Sequence, residues 1–129
     1  MMAYTIIEVE RKTGIPSTKI RFWIKKGLFP FLQSDENNVR YFSESDIDAL
    51  RWVEYLRQTK MEIKTIKLYM DLYVQGESTI AERKEMVKNQ IEFVKEDLKK
   101  TQEILRILEQ KHKFYEQLDC VNPTKCLVK

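Results

Sequence analysis

Apolar residues recur with helical spacing along most of the chain. The first such face is Ile6 and Val9, joined by Ile7. Thr5 precedes it and Glu8 follows at capping-box spacing, which predicts a helix over about 5–12. Thr13-Gly14-Ile15-Pro16 interrupts it, with Gly14 suited to the left-handed position after a helix and Pro16 to the start of the next. Ile20, Trp23 and Ile24 then mark a second helix over about 17–26, closed by Gly27. Two short helices joined by a Gly-containing turn describe a helix-turn-helix.

The period then changes. Leu28-Phe29-Pro30-Phe31-Leu32, the polar run 33–38 and Val39-Arg40-Tyr41-Phe42 read as a hairpin-like wing, with Asn37-Asn38 in its turn. Ser43, with Asp46 at the box position, opens a third helix ending near Gln58, with Ile47, Leu50, Val53 and Tyr55 or Leu56 inward. A fourth is expected over about 63–75, with Ile66, Met70 and Tyr73 inward, stopped by Gly76.

From about Ser78 to Leu118 neither Gly nor Pro occurs, and an alternating 4/3 spacing runs from Ile80 to Tyr115. Its a and d positions include Val87, Ile91, Val94, Leu98, Leu105, Leu108, His112 and Tyr115; eight of the eleven are apolar or aromatic. A helix of about 60 Å has no equally long partner within one chain, so dimerisation through this seam is expected. A second stripe, Met86, Phe93, Ile107 and Phe114, is a candidate for docking against the N-terminal domain. The expected organisation is therefore 1–75 winged helix-turn-helix, 76–119 dimerisation helix and 120–129 tail. The fold class is mainly α, with the long C-terminal helix forming an antiparallel coiled-coil dimer.

Composition narrows the function classes. Over 129 residues, 33% are charged and 43% hydrophobic, with no apolar run of membrane-spanning length and no opening targeting segment, so a cytoplasmic protein is expected. Two Cys and one His exclude a disulfide framework and a multi-His metal site within one chain. No nucleophile–base pair or phosphate-cradling Gly-rich loop is visible, so an enzyme is not expected. The net charge of +3 says little until it is located: residues 11–26 hold six basic residues and no acid. Such a cluster is an electrostatic footprint for a polyanion.

The candidate chemistry follows from that placement. A second helix entering a major groove would bring Ser17, Thr18 and Lys19 nearest the base edges. Arg21, Lys25 and Lys26 are better suited to phosphates, with Phe22 beside them and Trp23 reserved for packing. Arg40 on the wing would grip the flanking backbone or minor groove, and Arg57 and Lys60 offer a second backbone contact. Cys120 and Cys126 form a C-x5-C tail whose two thiolates suit a soft cation such as Cu(I), with Zn(II) the other candidate. Two incidental thiols are the plainer reading, and no cofactor is expected.

Tyr4-Thr5-Ile6-Ile7-Glu8-Val9, Thr13-Gly14-Ile15, Ile20-Arg21-Phe22-Trp23, Gly27-Leu28, Val39-Arg40-Tyr41-Phe42-Ser43 and the helix after Asp46 resemble, in order and spacing, the MerR family of bacterial transcription regulators. The resemblance covers about residues 4–75 and implies a homodimer on double-stranded promoter DNA. Such dimers bend and untwist an overlong spacer so that RNA polymerase can use it, in response to a stress or small effector. Bending a short site costs about 1–6 kcal/mol, to be recovered by the protein contacts. Residues 73–83 further resemble the aldehyde- and thiol-stress subgroup, although Tyr55 stands where that subgroup carries a reactive Cys. Copper- and zinc-sensing relatives place two Cys beyond the long helix, as the tail does here with a shorter spacing. About ten residues follow Leu118, which leaves no room for a separate effector domain.

Departures from the family pattern are Ile7 for Gly, Glu10 for Ala, Lys19 for Thr, Phe22 and Trp23 for paired tyrosines, and Asn38-Val39 for Gly-Tyr. The alternatives are an architectural or excisionase-like DNA-binding protein, and a coiled-coil adaptor without DNA affinity. Salt-dependent DNA binding separates the adaptor from the rest.

Overall fold

The computed structural model describes residues 3–32 and 39–121, with backbone alone for Cys120 and Val121. The elements are α1 (Ile6–Thr13), α2 (Ser17–Lys25), α3 (Glu44–Gln58), α4 (Ile63–Gln75), a 3-10 turn (Gly76–Thr79) and α5 (Ile80–Val121).

Local chemistry sets the helix ends. Thr5 and Ser43 each accept from the backbone N–H three residues on, and Glu8 and Asp46 reach back to the cap N–H, so both expected boxes form. Gly14 follows α1 with φ 76° and donates to the Glu10 carbonyl. α2 ends one residue earlier than expected, at Lys25, where Leu28 N–H returns to the Trp23 carbonyl at 3.1 Å across left-handed Gly27. Gly27 has φ 79°, a conformation that favours glycine, while the Lys67 Cε 3.3 Å from a Cβ there belongs to a flexible side chain that can move aside. The same 6→1 bond, Met61 N–H to the Leu56 carbonyl, closes α3 across Lys60, a non-glycine residue with φ 71°.

The chain divides into two compact units, one ending at Gln90 and the other beginning at Ile91. The core of the first joins Val9 of α1, Ile20 and Trp23 of α2, Phe42, and the inner faces of α3 and α4. Leu56 rather than Tyr55 completes the α3 face: Leu56 is 5% exposed and Tyr55 58%. Ile7, offered as a possible third inward residue of α1, faces outward. Tyr73, expected inward, is 45% exposed; its ring meets the edge of Phe31 and lies under the Arg83 guanidinium.

The wing differs most from expectation. Leu28–Leu32 forms turns instead of a strand, and the polar run 33–38 lies outside the described residues. Consecutive Leu28 and Phe29 are both buried, Pro30 has no N–H for a ladder, and Leu32 N–H turns back to the Phe29 carbonyl. Phe29 bridges Trp23 and Phe31 by ring contacts at 6.3 and 6.0 Å, so this segment fills the core between α2 and α4. Phe42 pairs with Tyr4 in an antiparallel bridge, two 2.8 Å bonds that tie the segment before α3 to the one before α1. Tyr4 Oη donates to Glu44 at 2.6 Å, and that bond raises the phenol pKa.

The Thr5 backbone N–H and hydroxyl both donate to Glu8 and hold its carboxyl below the ordinary value of 4.5. A depressed folded-state value gives stability that is full above 4.5 and lost as pH falls through the lower folded value. Thr5→Ala is expected to cost about 1 kcal/mol in urea unfolding at neutral pH. It should also shrink the loss of stability as pH falls through that window; identical acid profiles would refute the link.

α5 enters through its own lock. Thr79, buried, donates to the Leu72 carbonyl at 2.6 Å and accepts from Arg83 Nε, while Arg83 Nη2 holds the Gly76 carbonyl. Gln90 donates to the carbonyl and hydroxyl of Thr59 and fastens the start of α5 to the end of α3. Among the described residues no helix is long and apolar enough to cross a membrane.

Candidate nucleic-acid interface

α2 buries Ile20 and Trp23, which turns Thr18, Phe22, Lys25 and Lys26 outward. Its first turn carries no acid, and Pro16 supplies no side-chain cap. The acceptor comes instead from α1: Glu10 Oε1 takes the Ser17 N–H at 2.5 Å. This gives Glu10 a physical role at a position where it departs from the family pattern, since a carboxylate is favoured at a helix N-terminus.

Ser17 is half-buried, and its hydroxyl lies 3.4 Å from Arg21 Nη1. Arg21 and Lys25 share one flank of α2 with Arg40, and together they line an open cleft of about 480 Å³. Thr5, Ile6, Ile24 and Val39 complete its walls, so the N-terminus of α1 also faces it. Three cations therefore converge on one concavity, the arrangement that a phosphate backbone requires. Phe22, 48% exposed, lies on the outer face under Lys26 Nζ. Its apolar ring adds contact area without a phenolic hydrogen bond.

Lys19 is placed differently. Its Nζ lies 3.2 Å from both carboxylate oxygens of Glu54 on α3 and 5.6 Å over the Trp23 ring. Arg57 and Lys60 do not line the cleft; Arg57 Nη1 donates to the Met61 carbonyl at 2.7 Å, and Lys60 occupies the left-handed turn after α3. Lys12, inside the basic segment, stacks 4.9 Å over Tyr4. The sequence reading missed Thr5, Ile6 and Val39 as cleft walls, and Glu10 and Glu54 as acids reaching an acid-free segment. The Glu10-for-Ala and Lys19-for-Thr departures were the available signals.

On α5, Ile91, Leu98, Leu105, Leu108 and Tyr115 are each about half exposed, and Val94 is 37% exposed. Val87, nearer the start of the helix, is half-buried. His112 Nδ1 faces Glu116 at 3.4 Å, one turn along the same helix. Cys120 lies in the last turn of α5 with only its backbone described, and Cys126 lies outside the described residues. Among the described residues no group of three or more His, Cys, Asp or Glu could hold a metal ion.

Residues 4–72 match the family model of MerR HTH regulatory proteins. An uncharacterized HTH-type transcriptional regulator of Haemophilus influenzae is 32% identical over 126 residues, covering 98% of this chain and 93% of that protein. The HTH-type transcriptional regulator AdhR of Bacillus subtilis is 23% identical over 82 residues, covering 64% and 59%. Among solved structures, HiNmlR, a MerR family regulator lacking the sensor domain and bound to promoter DNA, superposes with a TM-score of 0.83 at 34% identity. That match covers 90% of this chain and 92% of HiNmlR. A MerR family regulator from Bacillus thuringiensis gives 0.82 at 35% identity, over 88% and 100% of the two chains.

Proposed function

The chain belongs to the MerR family of helix-turn-helix transcriptional regulators, and from that premise we propose that it binds double-stranded promoter DNA as a cytoplasmic homodimer. It distorts the site and so governs the use of the promoter by RNA polymerase, in response to a stress or small effector. The observation that carries this reading is the convergence of Arg21, Lys25 and Arg40 on one cleft beside the outward face of α2. A relative 34% identical and bound to promoter DNA supports the same partner.

In this mechanism α2 lies in the major groove with Ser17 and Thr18 toward base edges, while Arg21, Lys25, Lys26 and Arg40 neutralise phosphates. Phe22 packs on the sugar–phosphate edge. Arg57 and Lys60 give the backbone contact at the end of α3. The domain organisation proposed is a DNA-binding unit over 1–75, a dimerisation helix over 76–119 and a tail over 120–129. Through Val87, Ile91, Val94, Leu98, Leu105, Leu108, His112 and Tyr115, two antiparallel α5 helices set the spacing of the two α2 helices on a pseudo-palindrome.

The test is selection of bound duplexes from genomic fragments, followed by titration of the selected duplex over a salt series. Log affinity should fall linearly with log salt. Arg40→Ala should weaken binding to every duplex alike and flatten the slope by about 0.9 per protomer. Thr18→Ala should instead change which sequences are selected. Salt-independent binding, or none, would refute the reading.

A further inference from the structure

All six basic residues of 11–26 stand in a run of sequence without an acid, yet Lys19 meets a carboxylate in space. Lys19 Nζ sits 3.2 Å from both oxygens of Glu54, contributed by α3 and 35 residues away. The carboxylate is the more sheltered partner: the Glu54 side chain is 16% exposed and that of Lys19 44%. The Trp23 ring is the ammonium's second neighbour, its centroid 5.6 Å away. Arg21 and Lys25 line the cleft with Arg40, and Lys19 does not.

Resting on the DNA-binding reading above, we propose that Glu54 is a specificity-determining residue that withholds Lys19 from DNA phosphates and so holds down binding to non-operator duplex. Non-specific affinity is set by how many phosphates the protein neutralises, whatever the sequence. A complex held by charge alone can recruit any cation near the groove, whereas an operator complex is registered by base contacts and by the cleft cations. Neutralising one cation per protomer therefore subtracts more from the non-specific complex than from the specific one. Specificity gained by removing attraction to the wrong partner is a difference of affinities of the usual kind.

The experiment is fluorescence anisotropy with the full chain and a random-sequence duplex, over a salt series of about 50–200 mM. Glu54→Gln should tighten binding to that duplex and steepen the log–log salt slope by about 0.9 for each Lys19 released. Adding Lys19→Ala to Glu54→Gln should return the slope to its original value. In the unsubstituted background, Lys19→Ala should flatten the slope less than Lys25→Ala does, a comparison that stands whether or not Glu54→Gln folds well. A folded Glu54→Gln protein with an unaltered slope, or Lys19→Ala matching Lys25→Ala, overturns the role of Glu54 alone. Absence of duplex binding by the unsubstituted protein overturns the DNA-binding reading itself.

Discussion

Replacing Leu98 and Leu105 together by Asp is expected to leave the protein monomeric in sedimentation and to weaken operator binding by about 10²–10⁴-fold. Both leucines are more than half exposed on α5, as is Leu108 beyond them, and in the proposed dimer a second α5 covers them. Fully burying one such side chain contributes about 1.5–3 kcal/mol, and a carboxylate in its place adds a desolvation cost that no seam neighbour offsets. In the proposed dimer, losing dimerisation lowers DNA affinity because the second α2 binds as an intramolecular event only while the two chains are joined. Unchanged tryptophan fluorescence would show that the unit ending at Gln90 survives the substitutions. A double variant that remains dimeric and binds as before would refute the seam.

The second large effect is expected within the core. Trp23→Ala should cost about 3–5 kcal/mol in denaturant unfolding, a large part of the 5–15 kcal/mol typical of a domain. Trp23 is 1% exposed, its ring meets Phe29, and its carbonyl receives the bond that ends α2. Losing the indole opens a cavity where α2 meets the 28–32 segment, so the outward face of α2 loses its support as well. Trp23→Phe should recover most of the stability, because it restores an aromatic packing surface without needing an indole hydrogen bond. A midpoint for Trp23→Ala within error of the unsubstituted protein would refute this role.

These two effects differ in how plainly the chain announces them. The heptad seam and Trp23 stand in local periodicities, and so do both capping boxes and the stops at Gly14 and Gly27. Each depends on residues within about one helical turn, whose geometry is the same in any protein. The wing was harder to read because alternation and burial compete there. Leu28 and Phe29 follow the demands of a core already built by α1, α2 and α4, and Phe42 pairs with Tyr4 across 38 residues. Tyr55 and Leu56 could not be separated by period alone, since adjacent residues straddle the edge of a helical face.

By itself, then, the sequence determined the four short helices to within a residue or so at their ends, the basic character of α2 and the apolar pattern of α5. All of these arise from short-range backbone hydrogen bonding and from side-chain spacing. Only the tertiary structure decided that Glu10 caps α2, that Glu54 pairs with Lys19 and that Arg40 joins Arg21 and Lys25 in one cleft. Those partners lie up to 35 residues apart. Their meeting depends on the angles at which the helices pack, which the core sets collectively and no local pattern encodes.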